Sequence, residues 1–366
     1  MRVLTIEGSG KERGRIQGQS LKPMISEGIA KWKANLKSAV GVDPDHYIDR
    51  FLSGTDLVNA VRTWTPDLLD EAYGIAEGTG FGFSTIFAYQ CPDEELWYRI
   101  FERGLGVDSL ISERHCSTVG CVGQDHIPSI LSQNMDMNNS YDGTQVLLRV
   151  KNTTSSIQSY VFTAAGVMGF CGMNSAPLGV CVNTLLDLEH AKDGLPVTFI
   201  IRHLLESSTL NEAVDFLRKV KHASGQNYML ADARRVVDFE CSGGKVCQFE
   251  PSEGPLRIWH TNHPLANDDT HPSAAKVLSK AEPVVRSIPR LGFLRREVGD
   301  YSKSLDTEAI KRILTSHEIP VCVHNNRQPD GGCTLGSLVM ALTGSPELYL
   351  ATQPPCSMEF ERFRFD

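Results

Sequence analysis

The chain changes its hydrophobic rhythm once, at Cys116, and that break constrains the fold more than any single motif. Before it, after a short first strand, residues 1–115 read as mostly helical. Thr65-Pro66 opens a helix with proline in the first turn, Leu68, Leu69, Ala72, Ile75 and Ala76 share one face, and Gly78 is read as the stop. After it, Val146–Val150, Ser159–Phe162, Leu178–Val182 and Tyr228–Leu230 are short β-branched or apolar runs separated by turn residues, the signature of strands. Helices are expected near Pro196–Leu205 and after the capping box Thr209-Leu210-Asn211-Glu212, then near 274–298 and 307–314, with closing strands near 336–342 and 347–351. Strands, then helices, then strands predict an α+β fold with two sheets between helical layers rather than a repeating strand-helix alternation.

Composition narrows the partners. A net charge of -8 on 366 residues lacks the basic footprint of a general nucleic-acid or membrane binder. The first residues, Met1–Glu7, lack a signal-peptide core, and no run is apolar enough to span a bilayer, so a cytoplasmic location is expected. The sequons at Asn138 and Asn152 would then go unused, and Arg364-Phe365-Asp366 is no peroxisomal address. Of the ten cysteines, those in apolar runs such as Val180-Cys181-Val182 and Val321-Cys322-Val323 are read as small buried hydrophobes.

Cys116 is read differently, as a residue that becomes a chain terminus. Its thiol would attack the His115 carbonyl, the acyl group would shift from nitrogen to sulfur, and hydrolysis would leave a free amine on the same residue. A thiol of pKa about 8.5 beside an α-amine of about 7.7–8.0 can exchange its proton with that amine near neutral pH, directly or through one water. No distant catalytic histidine is then required.

Four segments together resemble the isopenicillin-N acyltransferase family of self-processing N-terminal-nucleophile enzymes, relatives of the choloylglycine hydrolases. Gly74-Ile75-Ala76-Glu77-Gly78-Thr79-Gly80 is similar to the family's glycine-punctuated helix end, Cys116 follows at the expected distance, and Thr334-Leu335-Gly336-Ser337 and Pro354-Pro355-Cys356 resemble its closing strands. Ser132-Gln133-Asn134-Met135-Asp136 resembles the motif returning a carboxylate beside the nucleophile, with Gln133 where bile salt hydrolases carry arginine. Asn174 and Asn183 bracket a segment similar to that supplying one oxyanion donor. His260-Thr261-Asn262-His263 resembles the motif whose asparagine supplies a second, and Ser287-Ile288-Pro289-Arg290 the segment whose arginine packs under the nucleophile.

The resemblance implies a four-layer αββα sandwich in which a leader, 1–115, stays docked on a catalytic portion, 116–366, as one structural domain. It implies Cys116 as nucleophile and, with His115, as the cleavage site, Asp136 orienting the ammonium, Asn262 and Asn183 holding the oxyanion, and Arg290 favouring thiolate. Asn134, Asn174, His260 and His263 are expected to contact substrate. The implied reaction is hydrolysis of a linear amide of a small N-acyl compound, such as an acyl amino acid, an acyl amine or a β-lactam side chain, through an acyl-enzyme. Acyl transfer from coenzyme A is the alternative, and an unprocessed, non-catalytic binding relative a third. No metal or organic cofactor is implied. His115 stands where many relatives have glycine, so strain at the scissile bond must arise differently.

Two competing signals are weak. Glu77–Gly82 is glycine-rich but follows a helix, not a strand, which disfavours a dinucleotide loop. His115, Cys116, Cys121 and His126 match no common zinc spacing, and Cys121 is read as core or pocket lining.

Overall fold

The computed structural model describes residues 1–105, 116–124, 126–153, 155–278, 282–324 and 332–365. Strand β1 (Arg2–Gly8) leads into helices α1 (Gly10–Ser20), α2 (Lys22–Val40), α3 (Pro44–Ser53), α4 (Leu57–Trp64), α5 (Pro66–Thr79), α6 (Phe83–Tyr89) and α7 (Pro92–Trp97). After Cys116 the chain supplies β2 (Ser117–Cys121), β3 (Ser129–Asn138), β4 (Gln145–Asn152), β5 (Gln158–Ala164), β6 (Cys171–Asn174) and β7 (Gly179–Thr184). Helices α8 (Val197–Leu204) and α9 (Leu210–Lys219) precede β8 (Gln226–Ala231), β9 (Val236–Cys241), β10 (Val246–Phe249) and β11 (Arg257–His260). Helices α10 (Ala274–Leu278), α11 (Glu282–Val298) and α12 (Thr307–Leu314) and strands β12 (Gly332–Leu342), β13 (Glu347–Ala351) and β14 (Glu361–Arg364) complete it.

The strands form two sheets, β1-β4-β5-β6-β7-β8-β9-β10 and β11-β2-β3-β12-β13-β14. Their inner faces meet where small residues let the layers approach. A Cβ on Gly120 would lie 2.5 Å from Val236, and one on Gly336 would lie 2.3 Å from the Phe162 ring. Behind the second sheet, Val119, Ile130, Trp259 and Val339 pack against Phe293, Leu294, Ile310 and Leu314 of α11 and α12. Behind the first lie the leader helices with α8 and α9, which makes the αββα order that the alternation of strand side chains requires.

The leader does more than wrap the sheets. Its β1 pairs in parallel with β4, Leu4 opposite Leu148 and Ile6 opposite Val150, and so forms an edge of the larger sheet. Gly78 is also not the stop of its helix. It faces α1, and α5 runs on to Thr79 and ends at Gly80, whose φ of +82° only glycine adopts readily. Helices α1 and α5 approach so closely that a Cβ on Gly14 would meet the Glu71 carbonyl at 2.0 Å. The capping box before α9 is displaced by one residue as well. Thr209 accepts from the Glu212 amide, but the Glu212 carboxylate returns to Ser208 rather than Thr209.

A buried ion cluster fastens α1 and α5 to α8. Glu71 on α5 accepts from Arg13 Nε at 2.8 Å and from Arg202 Nη1 on α8 at 2.7 Å, with all three side chains buried. Burial alone would raise the Glu71 pKa, but Arg202 and Arg13 outweigh it and the net shift is downward. A lowered pKa means this stabilisation is present above the ordinary carboxylate value of 4.5 and lost as pH falls through the folded value. Glu71→Gln leaves two guanidiniums facing each other and is expected to cost about 3–5 kcal/mol. Urea denaturation of the variant beside its parent measures this, and the variant should also lose the acid-side slope.

Candidate active site

Cys116 immediately precedes β2, and strand alternation puts its side chain on the same inner face as Thr118 and Gly120. Ser117 pairs with Asn134 across the β2–β3 ladder, so Cys116 stands opposite Met135 and one residue from Asp136. The distances agree, with Sγ 3.6 Å from Met135 Sδ and 4.0 Å from the Asp136 carbonyl oxygen. The thiol forms part of the wall of a cavity completed by Met135 and Met137 of β3, Phe170, Val182 and Thr184, Val197 and Ile201 of α8, and Pro92 and Asp93 of α7. These last two belong to the leader.

From the outer face, Arg290 on α11 reaches through to the backbone of Cys116. Its Nη1 donates to the Cys116 carbonyl at 2.6 Å and to Ser117 Oγ at 3.0 Å, and its Nη2 donates to Asn262 Oδ1 at 2.9 Å. The last bond fixes the amide of Asn262, because an oxygen held by a guanidinium must leave Nδ2 pointing the other way. That Nδ2 lies 3.2 Å from the carbonyl of Thr184, a cavity residue. Ser287, one turn before Arg290, secures the loop: its hydroxyl accepts from the Asn262 amide at 2.8 Å and donates to Thr261 Oγ1 at 2.9 Å.

Asn183 sits between cavity residues Val182 and Thr184. Its Oδ1 accepts from the Thr118 hydroxyl, and its Nδ2 is buried with no hydrogen-bond partner among the described residues. Asp136 turns its carboxyl to the outer face, where Oδ1 accepts from Thr334 Oγ1 at 2.6 Å while Oδ2 is buried without a partner among the described residues. Burial pushes its pKa up to about 8, against the pull of the Thr334 hydroxyl and the Arg290 charge. An orphaned carboxylate oxygen and an orphaned amide N–H within two strands of one thiol are the kinds of buried polar atom that require an explanation.

Cys116, Asp136, Asn183, Asn262 and Arg290 are thus brought together. His115, the other half of the expected cleavage bond, lies outside the described residues. The four residues expected to contact substrate lie outside the wall of that cavity. Asn134 faces the helical layer, giving Nδ2 to the carbonyls of Leu314 (2.8 Å) and Val321 (2.7 Å), because it has the parity of Asp136 and not of Met135. Asn174 spends its amide on the Leu205 and Ser207 carbonyls and on the Ala176 and Leu178 amides, closing the β6–β7 turn. His260 is a fully buried bridge between the sheets, Nε2 at 2.8 Å from Glu240 Oε1 and Nδ1 at 2.8 Å from the Thr261 carbonyl. Burial would lower its pKa, yet Asp238 and Glu240 outweigh it and raise it. His263 lies behind Asn262 with Nδ1 2.7 Å from Ser287 Oγ, its pKa driven down to about 4 by burial and by His260 and Arg290.

Sequence reasoning missed the cavity itself. Met135 and Met137 were within reach of a period-two reading of β3, since they alternate with Asn134 and Asp136. Phe170, Ile201 and the leader's Pro92 and Asp93 come from distant segments, and nothing local marks them. The expectation that Cys121 is core agrees with its place beside Val119 and Trp259, where burial raises its thiol pKa to about 12. Cys116 and Cys121, an odd number of residues apart on one strand, face opposite sides and cannot share an ion.

A family profile described as "Acyl-coenzyme A:6-aminopenicillanic acid acyl-transferase" matches residues 123–341, more than half of the chain. The 40 kDa form of acyl-coenzyme A:6-aminopenicillanic-acid-acyltransferase of Emericella nidulans is 26% identical over 266 residues, which are 72% of this chain and 70% of that protein. Among solved structures, the Caenorhabditis elegans ortholog of N-acylethanolamine-hydrolyzing acid amidase aligns at TM-score 0.44 and 16% identity, covering 62% of this chain and 92% of its own. Penicillin V acylase from Agrobacterium tumefaciens aligns at TM-score 0.42 and 14% identity, covering 69% and 86%. No helix among the described residues is long and apolar enough to cross a membrane. Because the profile match covers more than half of the chain, the chain belongs to the acyl-coenzyme A:6-aminopenicillanic acid acyl-transferase family and is an enzyme.

Proposed function

We propose that the chain is a self-processing N-terminal-nucleophile cysteine amidohydrolase that cleaves the linear amide of a small N-acyl compound with an apolar acyl group. The observation that carries the reading is Cys116 Sγ in the wall of a cavity built from Met135, Met137, Phe170, Val197 and Ile201, with Asp136 Oδ2 and Asn183 Nδ2 both lacking partners nearby. Cleavage between His115 and Cys116 would create the ammonium that Asp136 Oδ2 is suited to receive, and so divide the chain into 1–115 and 116–366.

In turnover the Cys116 thiol gives its proton to its own amine while sulfur attacks the substrate carbonyl. Asn262 Nδ2, moving from the Thr184 carbonyl, and Asn183 Nδ2 donate to the oxyanion, each such donor contributing about 3–4 kcal/mol. The ammonium then protonates the leaving amine as the C–N bond breaks, leaving a thioester on sulfur. Water, giving a proton to the freed amine, breaks the S–C bond and restores the thiol. Arg290 holds the Cys116 carbonyl and the Asn262 amide throughout. The leader stays docked, since Pro92 and Asp93 line the cavity and Glu71 pairs with Arg202.

The name of the Emericella relative, an acyl-coenzyme A-dependent acyltransferase, favours a second reading, transfer of the acyl group from coenzyme A to an amine. The two are separated by giving purified protein a series of N-acyl amines, and acyl-coenzyme A with and without added amine. Amide hydrolysis that strengthens with acyl chain length is expected. Thioester consumption that yields new amide, with no hydrolysis of preformed amides, would establish the transferase. An uncut chain turning over neither would leave only binding.

A further inference from the structure

On the far side of the second sheet, four soft ligands converge outside the catalytic centre. His317 follows α12, Cys322 and His324 lie on the segment running towards β12, and Cys356 lies in the β13–β14 connection. The candidate ligand atoms of all four lie within 4.8 Å of one another. We propose that His317, Cys322, His324 and Cys356 form a closed, tetrahedral zinc site that cross-links these two connections.

The distances carry the assignment. A zinc ion at about 2.3 Å from sulfur and 2.0–2.1 Å from nitrogen places tetrahedral ligand atoms about 3.3–3.8 Å apart. Here Cys322 Sγ and Cys356 Sγ are 3.6 Å apart, and the two Nε2 atoms are 3.0 Å apart. His324 Nε2 is 3.1 Å from Cys356 Sγ and 3.9 Å from Cys322 Sγ. Two thiolates, whose protons leave to solvent on binding, neutralise a divalent ion, and two neutral imidazoles complete an S₂N₂ set that suits zinc and leaves no open position. Four protein ligands make the site structural.

Backbone strain points the same way. Gln353, three residues before Cys356, has φ +128°, and it is the one non-glycine with positive φ among the described residues. Such a conformation is costly for a residue with a Cβ and persists only where surrounding contacts impose it. Pro354 and Pro355 then fix the approach of Cys356. On the other arm, Asn134 grips the carbonyls of Leu314 and Val321, and Val323 exchanges backbone and side-chain bonds with Thr334 at 2.9 Å. Thr334 is the residue that donates to Asp136, so the metal-held segment also buttresses the carboxylate of the active site.

The test is metal content and cobalt spectroscopy on the full-length protein, prepared under reducing conditions from zinc-supplemented culture. One zinc per chain is expected, retained through dialysis and released by a mercurial. Cobalt substitution should show thiolate charge-transfer and tetrahedral ligand-field bands. Cys356→Ser and His317→Ala, both at exposed positions, should lose most of the zinc while keeping native circular dichroism. A strong chelator should lower Tm in the parent and leave the Cys356→Ser variant unmoved. Trace metal with no cobalt spectrum would overturn the proposal, as would a Cys322–Cys356 disulfide in a non-reducing peptide map of the protein as isolated.

Discussion

Cys116→Ala is expected to run as a single chain on a denaturing gel, where the parent runs as two fragments meeting at His115 and Cys116, and to lower turnover by at least about 10⁴-fold. In the proposed mechanism one residue supplies both reacting atoms. Without sulfur there is no acyl shift, hence no amine, hence neither nucleophile nor base. Losses of this size follow when a nucleophile and its base act as a unit. Cys116→Ser separates the two roles, because a hydroxyl can still shift the acyl group, only more slowly. Slow fragmentation with weak activity is therefore expected for serine, and neither for alanine. Intact mass of each variant, followed over days, decides the matter. A parent that never fragments yet hydrolyses amides would remove the amine from the mechanism and return the role of base to another group.

The same variant bears on the leader. Pro92 and Asp93 form one side of the cavity, β1 pairs with β4, and Glu71 is buried between Arg13 and Arg202. Cutting the chain at residue 115 therefore relieves a covalent constraint without releasing the fragment. The two pieces should co-elute on gel filtration until they are denatured.

How much of this was legible follows from the range of each interaction. The two-sheet α+β plan was visible because each strand announces itself through its own alternation, and α5, α8, α9 and α12 through their own caps and faces. What the chain hides is pairing at long separation. The parallel β1–β4 edge joins residues 2–8 to 146–152, and no local pattern distinguishes an edge strand of the leader from a free hairpin arm. The grouping of Cys116 with Asp136, Asn183, Asn262 and Arg290 was legible from motifs, but the direction of the side chains was not. Asn134 and Asp136 lie two apart and face the helices, while Met135 between them faces the cavity. The amide of Asn174 and the imidazole of His260 look like binding groups in sequence, and in the structure they close a turn and bridge two sheets. Cys322 reads locally as a small hydrophobe, and only its meeting with Cys356, 34 residues away, gives it other chemistry.

Asp136→Asn carries the second large effect, and its sign depends on whether the chain is cut. In the uncut chain, burial lifts the Asp136 pKa to about 8 from an ordinary 3.8. The unfolded chain then loses this proton at lower pH than the folded one, so the linked stability is full below pH 3.8, falls as pH rises and levels off above about 8. In a Cys116→Ala background, Asp136→Asn should abolish that slope and leave the protein as stable or more stable at pH 8, by up to several kcal/mol. In the processing-competent chain the same substitution should cost about 10³–10⁴-fold in kcat, because the ammonium beside the thiol loses the carboxylate that orients it and tunes its proton affinity. Urea midpoints across pH 4–9 in one background and kcat in the other test the two halves separately. A carboxylate that stabilises the uncut chain at pH 8 would already have a partner, and the orphaned Oδ2 could not then be the seat prepared for the new N-terminus. A carboxyl group that weakens the precursor and enables the product is what self-processing predicts, since the charge that satisfies it exists only after the bond at Cys116 is broken.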